Sequence, residues 1–307
     1  MNRASQRVPL DSAQFTASPR RYGIPGLRSR YFPLIKSLQT GLLVMTGVAG
    51  YLSGQARELD WGELLGLAGS LFLAISGSTV LNMWYDRDID AKMQRTCWRP
   101  LVAGKVTPNE ALGLGIALSI LGVGWALMLD PLFGVIVLAG LFFDAVVYTA
   151  WLKRRSAWSI VWGGIAGGMP VLAGRALAVG TIDWIGLTLT LAVLFWIPTH
   201  ILTFSMRYFD DYQHARVPTF PARYGFQATR LIIAFSSLAA AAAMVVAALG
   251  VGMTAGYLRL MAVLSCGLLF LAVSSTMRPS DRVNFGLFKY ASLYMMSAML
   301  LLALNLR

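Results

Sequence analysis

Apolar residues in this chain are gathered into nine long runs with short polar stretches between them. Each run holds about 20 residues, the length that an α-helix needs to cross a hydrocarbon layer about 30 Å thick. The polar stretches are too short to fold as a separate soluble domain. The pattern therefore predicts an all-α integral membrane protein whose nine transmembrane helices form one bundle. The predicted spans are residues 32–53, 62–84, 109–129, 131–151, 157–177, 182–206, 230–250, 257–276 and 286–305.

Composition agrees with this picture: 57% of the residues are hydrophobic, 13% are charged, and the mean hydropathy is +0.62. Four glycines in the fifth span, at 163, 164, 167 and 168, permit close contact between helices. Residues 1–30 are polar and contain no apolar core, so we predict a disordered cytoplasmic tail before one membrane domain of residues 31–307. Because this tail is rich in Arg and poor in acids, a mitochondrial transit peptide is the alternative.

Positive charge is distributed unevenly about the nine predicted spans. The net charge is +12, and all but four of the 26 Lys and Arg residues fall on one side of the spans, the exceptions being Arg57, Arg175, Arg259 and Arg307. Such asymmetry marks the cytoplasmic side of membrane proteins, so the basic balance does not indicate nucleic-acid binding. We expect the N-terminus and the loops that carry polar motifs to lie in the cytoplasm, in a plasma membrane. A mitochondrial inner membrane is the alternative location.

The second span runs into a stripe of oxygen-bearing side chains. Asn82, Asp86 and Asp90 are four residues apart, so on a helix they share one face at steps of about 6 Å along the axis. Asp88 is expected to point away from this face. Carboxylates arranged in this way suit Mg²⁺, and cations that a diphosphate would need follow in the loop, at Lys92, Arg95, Arg99 and Lys105. The stripe therefore predicts a metal–diphosphate site at the membrane surface.

A second charged cluster follows the sixth span, at Arg207, Asp210, Asp211, Tyr212 and His214. If it faces the first cluster across a cavity, the two could hold two Mg²⁺ ions on one diphosphate. The alternative is an ordinary solvated helix end, and His214 is expected at the surface.

Two polar residues fall within predicted spans. Asp144 lies about two turns from the cytoplasmic end of the fourth span, and a carboxylate at such depth is a functional candidate. Its depth does not match that of Arg175, so we expect it to face a polar cavity instead. His200 lies in the sixth span, where it is either a packed core residue or a functional group.

Several motifs resemble the UbiA superfamily of intramembrane prenyltransferases and, within it, the protoheme IX farnesyltransferase (haem O synthase) family. They are Asp86-Arg-Asp-Ile-Asp-Ala-Lys-Met-Gln-Arg-Thr-Cys-Trp-Arg-Pro-Leu101, Trp196-Ile-Pro-Thr-His200 and Asp210-Asp-Tyr-Gln-His-Ala-Arg-Val-Pro218. The resemblance implies transfer of a farnesyl group from farnesyl diphosphate to a vinyl group of haem B, which water then hydroxylates. It also implies contact with the lipid bilayer and with haem A synthase or cytochrome oxidase assembly proteins.

The resemblance also assigns roles to individual residues. Mg²⁺ would be held by Asn82, Asp86, Asp90, Asp210 and Asp211, which together with His200 form the expected catalytic set. Substrate would be bound by Lys92, Arg95, Arg99, Tyr148, Lys153, Arg207 and Tyr212. His200 would serve haem, either as an iron ligand or by positioning the quenching water.

Departures from the family pattern at Arg216 and Thr219 leave open a UbiA-type enzyme with another acceptor, such as a quinone precursor, a lipid or a terpene. A transporter is the alternative of another class. Transporters place charged binding groups near the membrane midplane, whereas most acids here lie at helix ends, and only Asp144 favours transport.

Overall fold

The computed structural model describes residues 30–54 and 59–305, so most of the predicted N-terminal tail lies outside the described residues. The described residues contain nine long helices. We number them α1 Ser37–Gly54, α2 Trp61–Tyr85, α3 Pro108–Leu129, α4 Pro131–Leu152, α5 Ser159–Val179, α6 Trp184–Arg207, α7 Phe220–Val251, α8 Ala255–Met277 and α9 Asp281–Leu304. Three short helices, Phe32–Ile35, Arg87–Asp90 and Phe209–His214, precede α1, follow α2 and follow α6.

Polar residues between the apolar runs start several of these helices. The side chains of Asp60, Asp130, Asp183 and Ser280 accept hydrogen bonds from backbone N–H groups in the first turns of α2, α4, α6 and α9. Thr107 and Glu110 form a reciprocal capping box at α3. These side chains satisfy backbone donors that would otherwise lack partners at each helix start.

Of the nine long helices among the described residues, the eight from α2 to α9 are long and apolar enough to cross a membrane. α1 is not among them, since Gln39, Thr40 and several glycines dilute its apolar residues. Three predicted starts were wrong. α1 begins at Ser37 rather than 32, after the separate short helix Phe32–Ile35. α7 begins at Phe220 rather than 230, with a bend at Gly225 (φ 81°), and α9 begins at Asp281 rather than 286, where Ser280 caps it.

Neighbouring helices approach closely where glycines remove side chains. α1 packs against α5, and a Cβ atom on Gly174 would lie 1.9 Å from the carbonyl oxygen of Gly47. The predicted glycine run has the same effect on α6, since a Cβ on Gly167 would lie 2.5 Å from Ile197. The bundle is further held by contacts of α2 with α3, of α6 with α7, and of α9 with α1, α6 and α8.

The helix ends that carry the charged motifs gather at one end of the bundle, which we call the motif end and define by Asp86, Lys153 and Arg207. Here the segment after α2 packs on the segment after α6, as Ile89 and Met93 join Ala215 and Val217 in one apolar cluster. This contact brings the two acidic clusters of the sequence together at the motif end.

Candidate active site

The stripe of Asn82, Asp86 and Asp90 continues beyond the end of α2. α2 ends at Tyr85, but the N–H of Asp86 donates to the Asn82 carbonyl (3.0 Å) and the N–H of Asp90 to the Asp86 carbonyl (2.8 Å). The helical repeat therefore continues into the short helix Arg87–Asp90. Asn82, Asp86 and Asp90 are all buried, whereas the Asp88 side chain is 54% exposed. The predicted common face, and the divergence of Asp88 from it, are confirmed.

Facing this stripe is a π-helix, Phe143–Leu152, which forms the last part of α4. Its wider turn is visible where the N–H of Lys153 donates to the carbonyl of Tyr148, five residues back. Because of this wider turn, side chains that are four residues apart on the α2 side lie opposite side chains on the α4 side that are first five and then four residues apart. The apolar sequence of the fourth span carries no signal for it.

The matched steps produce three side-chain pairs, which we call the polar ladder. From the motif end inward, Lys153 Nζ donates to Asp86 Oδ2, Asn82 Nδ2 donates to Thr149 Oγ1 (2.9 Å), and Ser78 Oγ donates to Asp144 Oδ2 (2.5 Å). The expected location of Asp144 away from Arg175 is confirmed, because Arg175 instead binds the carboxylate of Asp183 (2.7 Å).

Cations surround the two buried carboxylates of the stripe. Arg99 Nη1 lies 2.5 Å from Asp90 Oδ2, and Arg154 Nη2 lies 3.7 Å from Asp86 Oδ1 and 2.6 Å from Asp88. A buried carboxylate is costly unless opposite charge and hydrogen bonds compensate it. Burial alone would lower the pKa of Lys153, but the neighbouring Tyr148 and Asp86 raise it above its ordinary value, so the ammonium stays charged.

One oxygen of this site lacks a hydrogen-bond partner. Asp86 Oδ1 is buried and accepts no hydrogen bond from the described residues. A buried carboxylate oxygen without a hydrogen bond, beside a second carboxylate, is the donor type that Mg²⁺ selects, so Asp86 and Asp90 can supply two of the ligands of that ion. In the described part of the chain, no three acidic, histidine or cysteine side chains form a group that could hold a metal.

The second acidic cluster lies in the short helix Phe209–His214. The Asp211 carboxylate accepts hydrogen bonds from the backbone N–H groups of Gln94 and Arg95, each at 3.2 Å. Asp211 thereby ties the segment after α6 to the segment after α2. Asp210 is exposed, and so is His214, as predicted.

His200 lies in a stack of rings between α6 and α9. We call this stack the aromatic column. It consists of Trp196, His200 and Phe204, four residues apart on α6, with Tyr208 just after the end of α6 and Phe288 of α9. The His200 ring lies 5.0 Å from that of Trp196 and 4.6 Å from that of Phe288, close to parallel with both. The Nδ1 atom lies 3.2 Å from Ser292 Oγ, which leaves Nε2 as the nitrogen available to a ligand.

Comparison with known proteins shows the family of this chain. The model of the UbiA prenyltransferase family matches residues 43–302. This chain belongs to that family. It is 36% identical to a protein of Pyrobaculum islandicum named protoheme IX farnesyltransferase, over 85% of this chain and 94% of that protein.

Solved structures share the UbiA fold with this chain. A structure described as digeranylgeranylglyceryl phosphate synthase matches with a TM-score of 0.75 and 20% identity, over 90% of this chain and 97% of that one. A UbiA homologue from Archaeoglobus fulgidus bound to GPP and Mg²⁺ matches with a TM-score of 0.62 and 14% identity, over 89% of this chain and 99% of that one.

Other residues suggested by the UbiA resemblance lie at the same end. The Arg95 guanidinium lies 4.9 Å above the Phe204 ring, and Arg207 lies 4.0 Å above Phe285, so both cap aromatic rings, while Lys92 is exposed. Tyr148, Lys153 and Tyr212 line an open cleft, together with Ser205 and Thr219.

Sequence reasoning missed one residue of this site. Lys36, to which the sequence analysis assigns no role, lies before α1 with a left-handed backbone (φ 43°, ψ 57°). Burial, then Arg99 and Lys153, lower its pKa to about 8, while Asp144 and Asp90 oppose the shift. The charge of Lys36 therefore interacts with charges of the polar ladder. The available signal was a lone Lys at the start of an apolar run.

Proposed function

We propose that this chain transfers a farnesyl group from farnesyl diphosphate to a vinyl group of haem B, forming haem O with Mg²⁺ as cofactor. The observation that carries the proposal is the pair of buried carboxylates, Asp86 and Asp90, surrounded by Lys153, Arg154 and Arg99 at the motif end. The name of the Pyrobaculum relative supports the reaction, and the GPP- and Mg²⁺-bound UbiA homologue supports a prenyl diphosphate donor.

Diphosphate binding falls to the cations of the motif end. Asn82, Asp86 and Asp90 would hold Mg²⁺ from one side, and Asp210 and Asp211 from the other. Mg²⁺, when bound, neutralises charge on the departing diphosphate. Lys153 and Arg99 pair with Asp86 and Asp90 in this structure, and we expect both cations to contact the diphosphate when it is bound. Arg154 lies beside Asp86, and Lys92 adds exposed positive charge.

The prenyl cation formed as the C1–O bond breaks must be kept from water until the vinyl carbon attacks. Tyr148 lies where the cleft meets the polar ladder, with Lys153 Nζ 5.7 Å from its ring centre. An aromatic ring at this point can exclude water and stabilise positive charge through its face. Tyr212, in the short helix Phe209–His214, lines the same cleft.

Haem binding is assigned to the aromatic column. A porphyrin is flat and apolar on its faces, and stacked rings offer a matching surface. Ser292 holds His200 Nδ1, so Nε2 would either ligate the iron or orient water toward the vinyl group. Arg95 and Arg207, above the rings near the motif end, suit the propionate carboxylates of haem.

We further propose that α1 crosses the membrane as a ninth span, with the N-terminus and the motif end in the cytoplasm of a plasma membrane. The concentration of Lys and Arg at that side supports this orientation. Haem O would leave into the bilayer or pass to a haem A synthase or an oxidase assembly protein.

The test is direct. The purified chain in lipid nanodiscs is incubated with haem B, farnesyl diphosphate and Mg²⁺, and the porphyrins are separated and weighed by mass spectrometry. Appearance of haem O, lost on chelation of the metal, is the expected result. Farnesylation of a quinone precursor or a lipid but not of haem would favour another UbiA-type acceptor. Movement of substrate across the bilayer without diphosphate release would favour a transporter.

A further inference from the structure

One buried acid has no part in the chemistry described so far. Asp144 lies within α4, eight residues before its last residue, and is half-buried. Its Oδ2 accepts the Ser78 hydroxyl at 2.5 Å, while its Oδ1 accepts no hydrogen bond from the described residues. A carboxylate at membrane depth is energetically expensive, and such groups normally face a water-filled cavity and serve a function.

The position of Asp144 on the polar ladder relates it to the donor. Ser78 precedes Asp86 by eight residues on α2, a distance of about 12 Å along the axis. The diphosphate sits at the Asp86 end, and the acceptor attacks C1 from the side opposite the leaving group. A diphosphate held at Asp86 and the bond that breaks both lie between Asp86 and the reacting vinyl carbon, so that carbon lies inward of Asp86. The Ser78–Asp144 pair is the step of the polar ladder on that inward side.

Lys36 interacts with charges at both ends of the polar ladder. Its charge interacts with Asp90 at the outer end and with Asp144 at the inner step. It also interacts with Arg99 and Lys153. These charges are therefore close enough to interact with one another. Asp144 is half-buried and its Oδ1 accepts no hydrogen bond from the described residues, so that oxygen can accept a hydrogen bond from water.

We propose that Asp144 is the general base that takes the proton from the water that hydroxylates the prenylated haem. The inference rests on the proposed function. The terminal vinyl carbon bonds to C1 of the farnesyl group as the diphosphate leaves with the bonding electron pair, which places a cation on the inner vinyl carbon. The water oxygen bonds to that carbon and gives one proton to the Asp144 carboxylate. If Asp144 does not take the proton from the attacking water, the cation can instead lose a carbon-bound proton to solvent water and become an alkene, one water lighter than haem O.

The experiment measures product partition rather than rate alone. Wild type, Asp144→Asn and Asp144→Glu are incubated with haem B, farnesyl diphosphate and Mg²⁺ in isotopically labelled water. Diphosphate release, the labelled hydroxylated product and the alkene are quantified together. Asp144→Asn keeps the shape and the acceptor for Ser78, and should lower the ratio of hydroxylated product to alkene at least about tenfold, within the range of a general base. Asp144→Glu should restore part of it, and diphosphate release should change little.

Two further variants separate the possible outcomes. Asp281→Asn, an exposed acid in the first turn of α9, is the matched control and should keep the wild-type ratio. Ser78→Ala keeps the carboxylate but removes its hydrogen-bond donor, so it should lower the ratio by a few-fold even if Asp144→Asn does not fold. A wild-type product ratio in Asp144→Asn, or in Ser78→Ala should that be the only variant to fold, would overturn the assignment. Absence of any farnesylated haem from the wild type would overturn the proposed function itself.

Discussion

Replacing Lys153 with Met tests the electrostatic design of the motif end. The Asp86 carboxylate is completely buried, and the side chain of Lys153, its main partner, is 18% exposed. Removing one member of a buried ion pair usually costs about 3–5 kcal/mol, because a desolvated charge is left without compensation. Arg154 remains 3.7 Å from the other oxygen of Asp86, so we expect the lower end of that range, about 3 kcal/mol.

The same reasoning predicts strong coupling between the two positions. In the double variant Asp86→Asn with Lys153→Met, neither charge remains, so most of the loss should disappear. The coupling energy of the double-mutant cycle should be about 2 kcal/mol, at the upper side of values for contacting residues. Unfolding in mixed micelles with rising SDS, followed by tryptophan fluorescence, measures each free energy under matched conditions.

The matched control is Lys105→Met, which removes a Lys from the same end of the bundle. Lys105 is exposed and has no ion pair among the described residues, so its loss should change stability by less than about 0.5 kcal/mol. Equal stability of Lys153→Met and wild type would refute the reasoning. So would a double variant whose loss is the sum of the two single losses.

Three further predictions concern other parts of the molecule. Asp86→Ala should lower turnover at least about a hundredfold while the protein still folds, whereas Asp88→Asn should cost far less because that side chain is exposed; similar rates would contradict the metal assignment. His200→Ala should weaken haem binding, measured from the Soret band, and leave affinity for farnesyl diphosphate nearly unchanged; the reverse pattern would show that His200 serves the donor. Burial alone would raise the pKa of Asp183, but Arg175 and the Gly186 N–H lower it. Its stabilisation should therefore be complete above about pH 4 and be lost as the pH falls through the lower folded pKa, and Asp183→Asn should remove that dependence from the thermal midpoint; a midpoint with the same acid dependence in wild type and variant would contradict it.

Sequence periodicity was enough to predict the all-helical bundle, because a run of about 20 apolar residues in a chain this hydrophobic has few stable alternatives to a buried helix. Boundaries were less secure where polar residues continue a helix beyond the membrane. The N-terminal parts of α7 and α9 contain Arg223 and Arg282, so hydropathy ended both predicted spans short of the true helix starts. The glycine run of α5 was also interpreted correctly, because small residues permit close packing wherever the partner helix lies.

The stripe of Asn82, Asp86 and Asp90 was predictable for the same reason, since spacing along one helix is a local property. Its partners were not. Lys153 binds Asp86, and Asp144 binds Ser78, only because α4 widens into a π-helix opposite α2. The local sequence of α4 does not predict that π-helix.

Tertiary structure likewise decided the surroundings of single residues. The sequence by itself determined which residues carry charge or a ring, and on which helix face each lies. Only the packing of α6 against α9 placed His200 between Trp196 and Phe288. Only the packing of the segment after α6 on the segment after α2 placed the Asp211 carboxylate on the backbone N–H of Arg95. The reason is physical: spacing within one helix follows from its fixed geometry, whereas contacts between helices depend on the rotation and depth that side-chain packing allows.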